Sequence, residues 1–486
     1  MKKFLKYSAA EIESINGVLE KKLLNIKNKL SFWEALDEVF SNIYIDNLIK
    51  KKGANSSDQK LSAGTSVKNA PSILLKTLTE SIRSNNYRFY TPSCGSEAAR
   101  QAIAVRESIS ANLKSSITVN NVVMSVGSTG AISSVFEITK KLYPNGQVII
   151  AAPTYYLYKF CARYYGLDYI EVSRPLSNVQ SSFLCFEQIL SAINARIKLL
   201  CIVNPTNPTG EYYSQKQIED VLAKAKQFGT MVLVDELFNF LDYKGITNRS
   251  SSLKAAEKVN AEENLILVNG FSKSQNLAGL RIGYSITRND KWLKCLNQVN
   301  QVRFCFPIGY QYDEMIQLDC VIRSIKTLIE RGSSKDAAIK KVCQAYGVDI
   351  DQYRLDKQFG QYWKQSGCAL TDYTNQLLES DNILSGITDC SVKPQAGFNS
   401  FRKIKLKDKI NYFDFALNCF LATGVKIELG PCYGLGQKYW EKSDGIWLRL
   451  TTARNKKTYK NSLNLFRSFV QSYPKNKILD IDMRFD

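Results

Sequence analysis

The sequence predicts an α/β protein: a large domain built on a mostly parallel sheet covered by helices, then a smaller α+β domain. Three observations carry this. Between about 66 and 300, short apolar runs alternate with stretches of helical period, the rhythm of βαβ units. The runs VVMSV (122–126), VIIAA (148–152), YIEV (169–172), KLLCIV (198–203), MVLVD (231–235) and LILVN (265–269) are compact and mostly β-branched, as buried parallel strands require. After about 300 the pattern turns helical and polar, then returns to short strands (CSVKPQAGFNSFRKI, VKIEL, IWLRL) and a helix near 455–472.

Residues 1–65 read as an N-terminal helical segment. IESINGVLEKKLLNIKNKL and FWEALDEVFSNIYIDNLI place apolar residues at helical spacing, predicting two amphipathic helices that end at Lys-Lys-Gly. GANSSDQKLSAGTS is polar and Gly/Ser-rich, a loop. Residues 66–315 form the expected large domain and 376–486 the small one, with ILDIDMRFD as a short tail.

Composition narrows the function. The chain has 486 residues, 44% hydrophobic and 23% charged, as in soluble globular proteins. No stretch approaches the roughly 18 to 20 apolar residues of a membrane span, and MKKFLKYSAAEIESI lacks the apolar run of a signal peptide. A cytoplasmic protein is expected. Twelve cysteines are scattered singly (Cys94, Cys161, Cys185, Cys201 among them) without a CxxC pair, so reduced, mostly buried thiols are expected. The chain contains no histidine, which excludes His-based triads, His zinc sites and His acid–base catalysis; proton transfer falls to Lys, Tyr, Cys or a carboxylate. The net charge is +20, densest at Lys50–Lys52 and Arg402–Lys409. These runs lack a nucleic-acid-reading module, so they are read as solvated surface, with no nucleic-acid or membrane partner expected.

Five motifs fall where strands end, the place parallel sheets bind ligands. In GFSKSQNLAGLRIGY (270–284), Lys273 follows a strand and a tight turn, with Arg281 eight positions on. A Schiff base needs a lysine held where its amine is partly desolvated, and a phosphate needs a nearby guanidinium fork. Alone, such a pair is usually solvated. Asp235 ends the strand MVLVD, where a lone Asp is often a helix cap. NPTNPTG (204–210) holds Asn207 between two prolines that restrict the backbone, though a plain turn would read similarly. VGSTGAI (126–132) puts Ser128 and Thr129 at a helix N-terminus, where backbone N–H groups suit a phosphate. APTYYLY (152–158) places Tyr155 after a strand, where it can stack on a planar ring or simply pack.

These segments, in this order from YTPSCGSEAARQAIA (90–104) to IWLRLTTA (446–453), resemble the class I/II aminotransferases of pyridoxal-5'-phosphate (PLP) fold type I. The resemblance implies PLP as cofactor, carried by Lys273 as a Schiff base, with the same lysine moving the α-proton. It implies that Asp235 holds the pyridinium, Asn207 the ring 3'-oxygen and Tyr155 the ring face, while Ser128, Thr129 and Arg281 bind phosphate. Tyr90, in a Y-x-x-x-x-G pattern with Gly95, would reach the neighbouring subunit's phosphate, which implies a homodimer with shared active sites. Arg449 would clamp the substrate α-carboxylate. Against the family pattern, the stretch from Lys273 to Arg449 is long, so 316–375 is expected to be a helical insertion. Phe238 stands where a tyrosine is usual, and Gly270 where a serine often helps bind phosphate. The implied activity is transfer of an amino group between an amino acid and a 2-oxo acid. A PLP-dependent lyase, decarboxylase or oxidase is the alternative on the same residues. A non-catalytic regulatory relative is more distant, because the N-terminal segment is short for a DNA reader.

Overall fold

A computed structural model describes residues 4–23, 31–54, 60–179, 181–245, 249–304, 307–349, 355–406, 410–481, 483 and 485. Parts of the predicted 53–66 loop, the 402–409 basic run and the 316–375 stretch therefore lie outside the described residues.

Strands β1 (Val122–Val126), β2 (Gln147–Ala151), β3 (Asp168–Val172), β4 (Ile197–Val203), β5 (Met231–Asp235), β6 (Leu265–Gly270) and β7 (Ile282–Ile286) form one sheet, ordered β1-β7-β6-β5-β4-β2-β3. The β2–β3, β2–β4, β4–β5 and β5–β6 pairs are parallel, whereas β7 runs antiparallel to both β1 and β6. The six predicted runs are all strands, because continuous apolar stretches are what a sheet buried on both faces demands. The seventh, IGYSI, follows the Lys273 motif directly.

Two apolar cores cover the sheet. On one face Ile149, Leu200, Val232 and Leu267 pack with Ala102, Ile103, Leu222 and Val321 from helices. On the other, Val148, Leu199, Leu233 and Val268 meet Ile132, Val135, Phe136 and Trp292.

Strands β8 (Thr388–Val392), β9 (Asn399–Lys405), β10 (Glu428–Leu429) and β11 (Gly445–Thr451) form a second, antiparallel sheet ordered β10-β11-β9-β8. Its core contains the fully buried Phe413, Phe415, Phe420, Trp440 and Trp447. Ile15, Leu19, Phe32, Leu36, Val39 and Ile45 from the N-terminal helices join this same core. Those helices number three among the described residues rather than two: Ala9–Leu23, Phe32–Phe40 and Ile43–Lys51. Asn42 divides the second predicted helix by accepting from the N–H groups of Tyr44 and Ile45, a local cap that outcompetes continuation. Ser31 and Glu34 begin the middle helix with reciprocal capping bonds.

The described part of 316–375 is mostly helical, with turns at 331–334 and 347–349. Its first part belongs to the helix Asp313–Glu330, which buries Ile316, Val321, Ile322 and Ile325 against the large-domain core. Its last part belongs to the helix Leu355–Leu384, which runs unbroken across residue 375. The C-terminal residues are not a free tail: Leu479, Met483 and Phe485 are buried in the small-domain core, and Asn418 Oδ1 accepts from Ile478 and Leu479 N–H. Alternation of apolar residues at 479, 481, 483 and 485 presents one apolar edge to that core. The eleven described cysteines are free thiols.

Candidate active site

An open cavity of about 1050 Å3 lies at the carboxyl ends of β4, β5 and β6, where the small-domain sheet meets the large one. Ser128, Thr129, Tyr155, Asn207, Asp235, Lys273, Arg281 and Arg449 all line it, together with Trp33, Phe238, Ser272, Glu428 and Tyr433. Of the sequence-derived site residues only Tyr90 lies elsewhere, 82% exposed on the surface.

Lys273 sits in the turn after β6, pinned by the Asn276 N–H to Lys273 carbonyl bond (3.2 Å) and the Leu277 N–H to Phe271 carbonyl bond (3.1 Å). Its Nζ donates to the Gly64 carbonyl at 2.5 Å and stands 5.7 Å from the centre of the Phe238 ring. Burial together with the Arg449 and Arg281 guanidiniums pulls the amine down to about 8, against the opposing pull of Asp235. A lysine so placed carries a neutral, nucleophilic fraction near physiological pH far larger than an ordinary lysine amine, though the protonated form still predominates.

Asp235, at the end of β5, is buried. It accepts from the Tyr158 hydroxyl at 2.9 Å and from the Leu237 N–H at 2.9 Å. Burial nonetheless raises its pKa, the hydrogen bonds and Lys273 only partly offsetting the lost hydration. A buried carboxylate in this condition is matched to a cation.

Gly127 begins the helix Gly127–Leu142 with φ +65°, and its N–H donates to the Arg281 carbonyl at 2.6 Å. A Cβ at Gly127 would fall 2.7 Å from Arg281 Nη2, and one at Gly283 would fall 2.2 Å from the Gly127 carbonyl carbon. Only glycine at both positions lets β7 carry Arg281 against the helix N-terminus that presents Ser128 and Thr129. Arg281 itself has φ +56°, a strained backbone for a side-chain-bearing residue, and its guanidinium donates to Ala278 O at 3.2 Å. The absence of a serine at Gly270 has a steric reason: a Cβ there would sit 2.7 Å from the Ile282 carbonyl. Ser272, two residues on, lines the cavity instead.

Arg449 on β11 is buried and faces Glu428 across the β10–β11 register. Its Nη1 donates to Asn207 Oδ1 at 3.1 Å, and Nη2 lies 2.7 Å from Glu428 Oε2 while also reaching the Ser62 carbonyl. Its Nε is buried without a hydrogen-bond partner among the described residues. Tyr433 donates its hydroxyl to Glu428 and places its ring 5.3 Å below the Arg449 guanidinium.

Sequence reading missed Tyr158, Trp33, Gly64, Glu428 and Tyr433. Tyr158 stands three positions after Tyr155, in the first turn of the helix Leu157–Tyr164. The others come from elements far apart in sequence. Trp33 arrives from the helix Phe32–Phe40 and stacks on Tyr156, centroids 3.8 Å apart and planes 13° from parallel.

The sheet order, the small antiparallel domain and the cavity between them define a PLP fold type I protein. The model of the family Aminotransferase class I and II matches residues 59–312, more than half of the chain, and the chain belongs to that family of enzymes. Relatives agree. An aspartate aminotransferase of Bacillus sp. (strain YM-2) is 29% identical over 230 residues, 47% of this chain and 56% of that protein. One from Sulfolobus acidocaldarius is 22% identical over 301 residues, 61% of this chain and 73% of that one. The chain thus spans little more than half the length of the Bacillus relative. Among solved structures, an alanine aminotransferase from Pyrococcus furiosus shares the fold with a TM-score of 0.69 at 19% identity, covering 90% of this chain and 97% of its own.

Proposed function

We propose that this chain is a PLP-dependent aminotransferase that exchanges an amino group between an amino acid and a 2-oxo acid. The observation that carries the reading is the convergence of Lys273, Asp235, Arg281 and Arg449 on one cavity. The residues present fit the cofactor. A glycine-lined helix N-terminus with Ser128, Thr129 and Arg281 suits a dianionic phosphate, the raised Asp235 suits a ring cation, and Tyr155 offers an aromatic face.

When bound, PLP supplies the electron sink that makes the substrate's α-proton acidic. The chain supplies the rest. Lys273 would hold the cofactor, and its amine would take and return the proton at the substrate α-carbon. Asp235, held by Tyr158, opposes the ring nitrogen and keeps it protonated. Asn207 serves the ring 3'-oxygen and braces Arg449. Arg449 grips the α-carboxylate, its buried and unpartnered Nε being the donor left to complete the fork. Tyr90 reaches a neighbouring subunit's phosphate in a homodimer, a role supported by the exposed aromatic surface around Tyr87, Phe89 and Tyr90. The stretches 66–315 and 376–486 act as cofactor domain and small domain; the helices of 1–65 join the small-domain core, and those of 316–375 extend the large-domain core and run on into the small domain. Free thiols support a reducing, cytoplasmic setting, and no described helix is long and apolar enough to cross a membrane.

The test is an absorbance spectrum of the purified protein before and after borohydride, with peptide mapping. A visible band removed by reduction, with the label on Lys273, supports the reading. Reversible bleaching by an amino acid, restored by a 2-oxo acid, establishes transamination. Net release of ammonia or carbon dioxide, or oxygen uptake, establishes the lyase, decarboxylase or oxidase alternative instead.

A further inference from the structure

The cavity walls carry three cations, Lys273, Arg281 and Arg449, and two carboxylates, Asp235 and Glu428. Resting on the functional reading above, four of these five charges have assigned counterparts: Arg281 the phosphate, Asp235 the ring nitrogen, Lys273 the cofactor, Arg449 the α-carboxylate. Glu428 is ion-paired with Arg449 at 2.7 Å, accepts from the Tyr433 hydroxyl and lies within electrostatic reach of Lys273, yet has no counterpart of its own on cofactor or substrate. When the substrate's α-carboxylate reaches Arg449, two carboxylates share one guanidinium, and Glu428 is left incompletely compensated in a partly dehydrated place. Its side chain is 19% exposed, so water alone does not settle the charge.

Around Glu428 the wall is aromatic. Tyr433 donates to its carboxylate, and Tyr155, Tyr156 and Trp33 line the adjoining side, the latter two stacked face to face. Aromatic faces beside a carboxylate attract an organic cation through the ring quadrupole and the full charge together. The same wall repels a side-chain carboxylate, and no cation other than Lys273, Arg281 and Arg449 lines the cavity among the described residues.

We propose that Glu428 determines substrate specificity, and that the preferred amino donor carries a cationic side chain, an amine or guanidinium, whose charge meets Glu428 against the Trp33–Tyr156–Tyr433 wall. This separates the chain from relatives named aspartate aminotransferase, whose named substrate has an acidic side chain.

The experiment is calorimetric titration of the cofactor-loaded protein with three unreactive acids that lack a primary amine: hexanoate, 6-guanidinohexanoate and adipate. None turns over, so the result reads Glu428 independently of whether the protein transaminates, which the spectral test decides. The wild type is expected to bind 6-guanidinohexanoate at least about tenfold more tightly than hexanoate, with adipate weakest, one desolvated charge contact being worth roughly that factor. Glu428→Gln should abolish the preference, and Tyr433→Phe should reduce it while keeping the ring. Equal or tighter binding of adipate by the wild type overturns the proposal. So does a Glu428→Gln change that scales all three acids alike, because Glu428 would then merely orient Arg449.

Discussion

Tyr158 donates its hydroxyl to Asp235 across 2.9 Å, and both side chains are buried beneath the cavity floor. In a chain without histidine this phenol is the side chain that fixes the carboxylate, its bond favouring the charged form that burial opposes. Removing it with Tyr158→Phe should raise the Asp235 pKa further. We expect cofactor binding to weaken by about ten- to a hundredfold, the scale of a hydrogen bond to a buried charge. The acid limb of its pH dependence should move upward. Titration of the cofactor-free protein between acid and neutral pH checks both; an unmoved acid limb contradicts the assignment.

Asp235 also sets a conflict between stability and function. Its folded pKa is raised, chiefly by burial, so at neutral pH the buried charge opposes folding of the cofactor-free protein. Below the ordinary Asp range, near pH 4, both folded and unfolded states carry it neutral and the penalty vanishes. Asp235→Asn should therefore raise the cofactor-free melting temperature at neutral pH. The gain should shrink to nothing as pH falls. Transamination should drop at least about a hundredfold in the same variant. A destabilised Asp235→Asn at neutral pH overturns this.

The parts of this architecture legible in sequence are those dictated locally. Six strands announce themselves as apolar runs, and Lys273, Asp235, Asn207 and Arg281 stand at their ends because a sheet with helices on both faces leaves those ends open. What escaped depends on register and on long-range docking. Glu428 meets Arg449 only through antiparallel pairing of two strands sixteen residues apart from end to start, with the 3-10 turn Gly430–Tyr433 between them. Trp33 reaches the cavity because the helix Phe32–Phe40 packs on the small-domain core, which its own period does not reveal. The break at Asn42 is a local signal, a capping residue inside an apolar pattern, and its mechanism was readable.

Lys273 should behave as an unusually acidic amine. In the cofactor-free protein its reaction with an amine-acylating reagent should rise through a midpoint of about 8, since only the neutral form attacks. After burial, Arg449 is the largest cause of the lowering, so Arg449→Met should move the midpoint up. Peptide mapping of labelled Lys273 against pH makes the measurement. A wild-type midpoint near the ordinary 10.5 would refute it.

Phe238 is expected to tune the proposed Lys273–cofactor linkage. Its ring lies 5.7 Å from Nζ and is packed against Phe398, with no phenol to hydrogen-bond the cofactor's ring oxygen. An aromatic face near the nitrogen favours its protonated form. The linkage should stay protonated above neutral pH, and Phe238→Tyr should lower its pKa by about one unit, or about 1.4 kcal/mol. A spectrophotometric pH titration reads both proteins. A wild-type pKa below neutrality is the contrary result.

The surface formed by Leu75, Ile82, Tyr87, Phe89 and Tyr90 tests the shared-site arrangement. These side chains are 43%, 45%, 53%, 70% and 82% exposed, a concentration of apolar and aromatic surface that a lone subunit rarely leaves uncovered. Sedimentation should give a dimer, and Phe89→Arg should shift it toward monomer by desolvating a charge in the interface. If Tyr90 crosses to the neighbouring phosphate, Tyr90→Phe leaves sedimentation unchanged yet weakens cofactor retention by about tenfold, the loss of one charge-assisted hydrogen bond. A Phe89→Arg monomer that keeps full cofactor affinity and activity would mean that each subunit builds its site alone, and Tyr90 would then have no part in it.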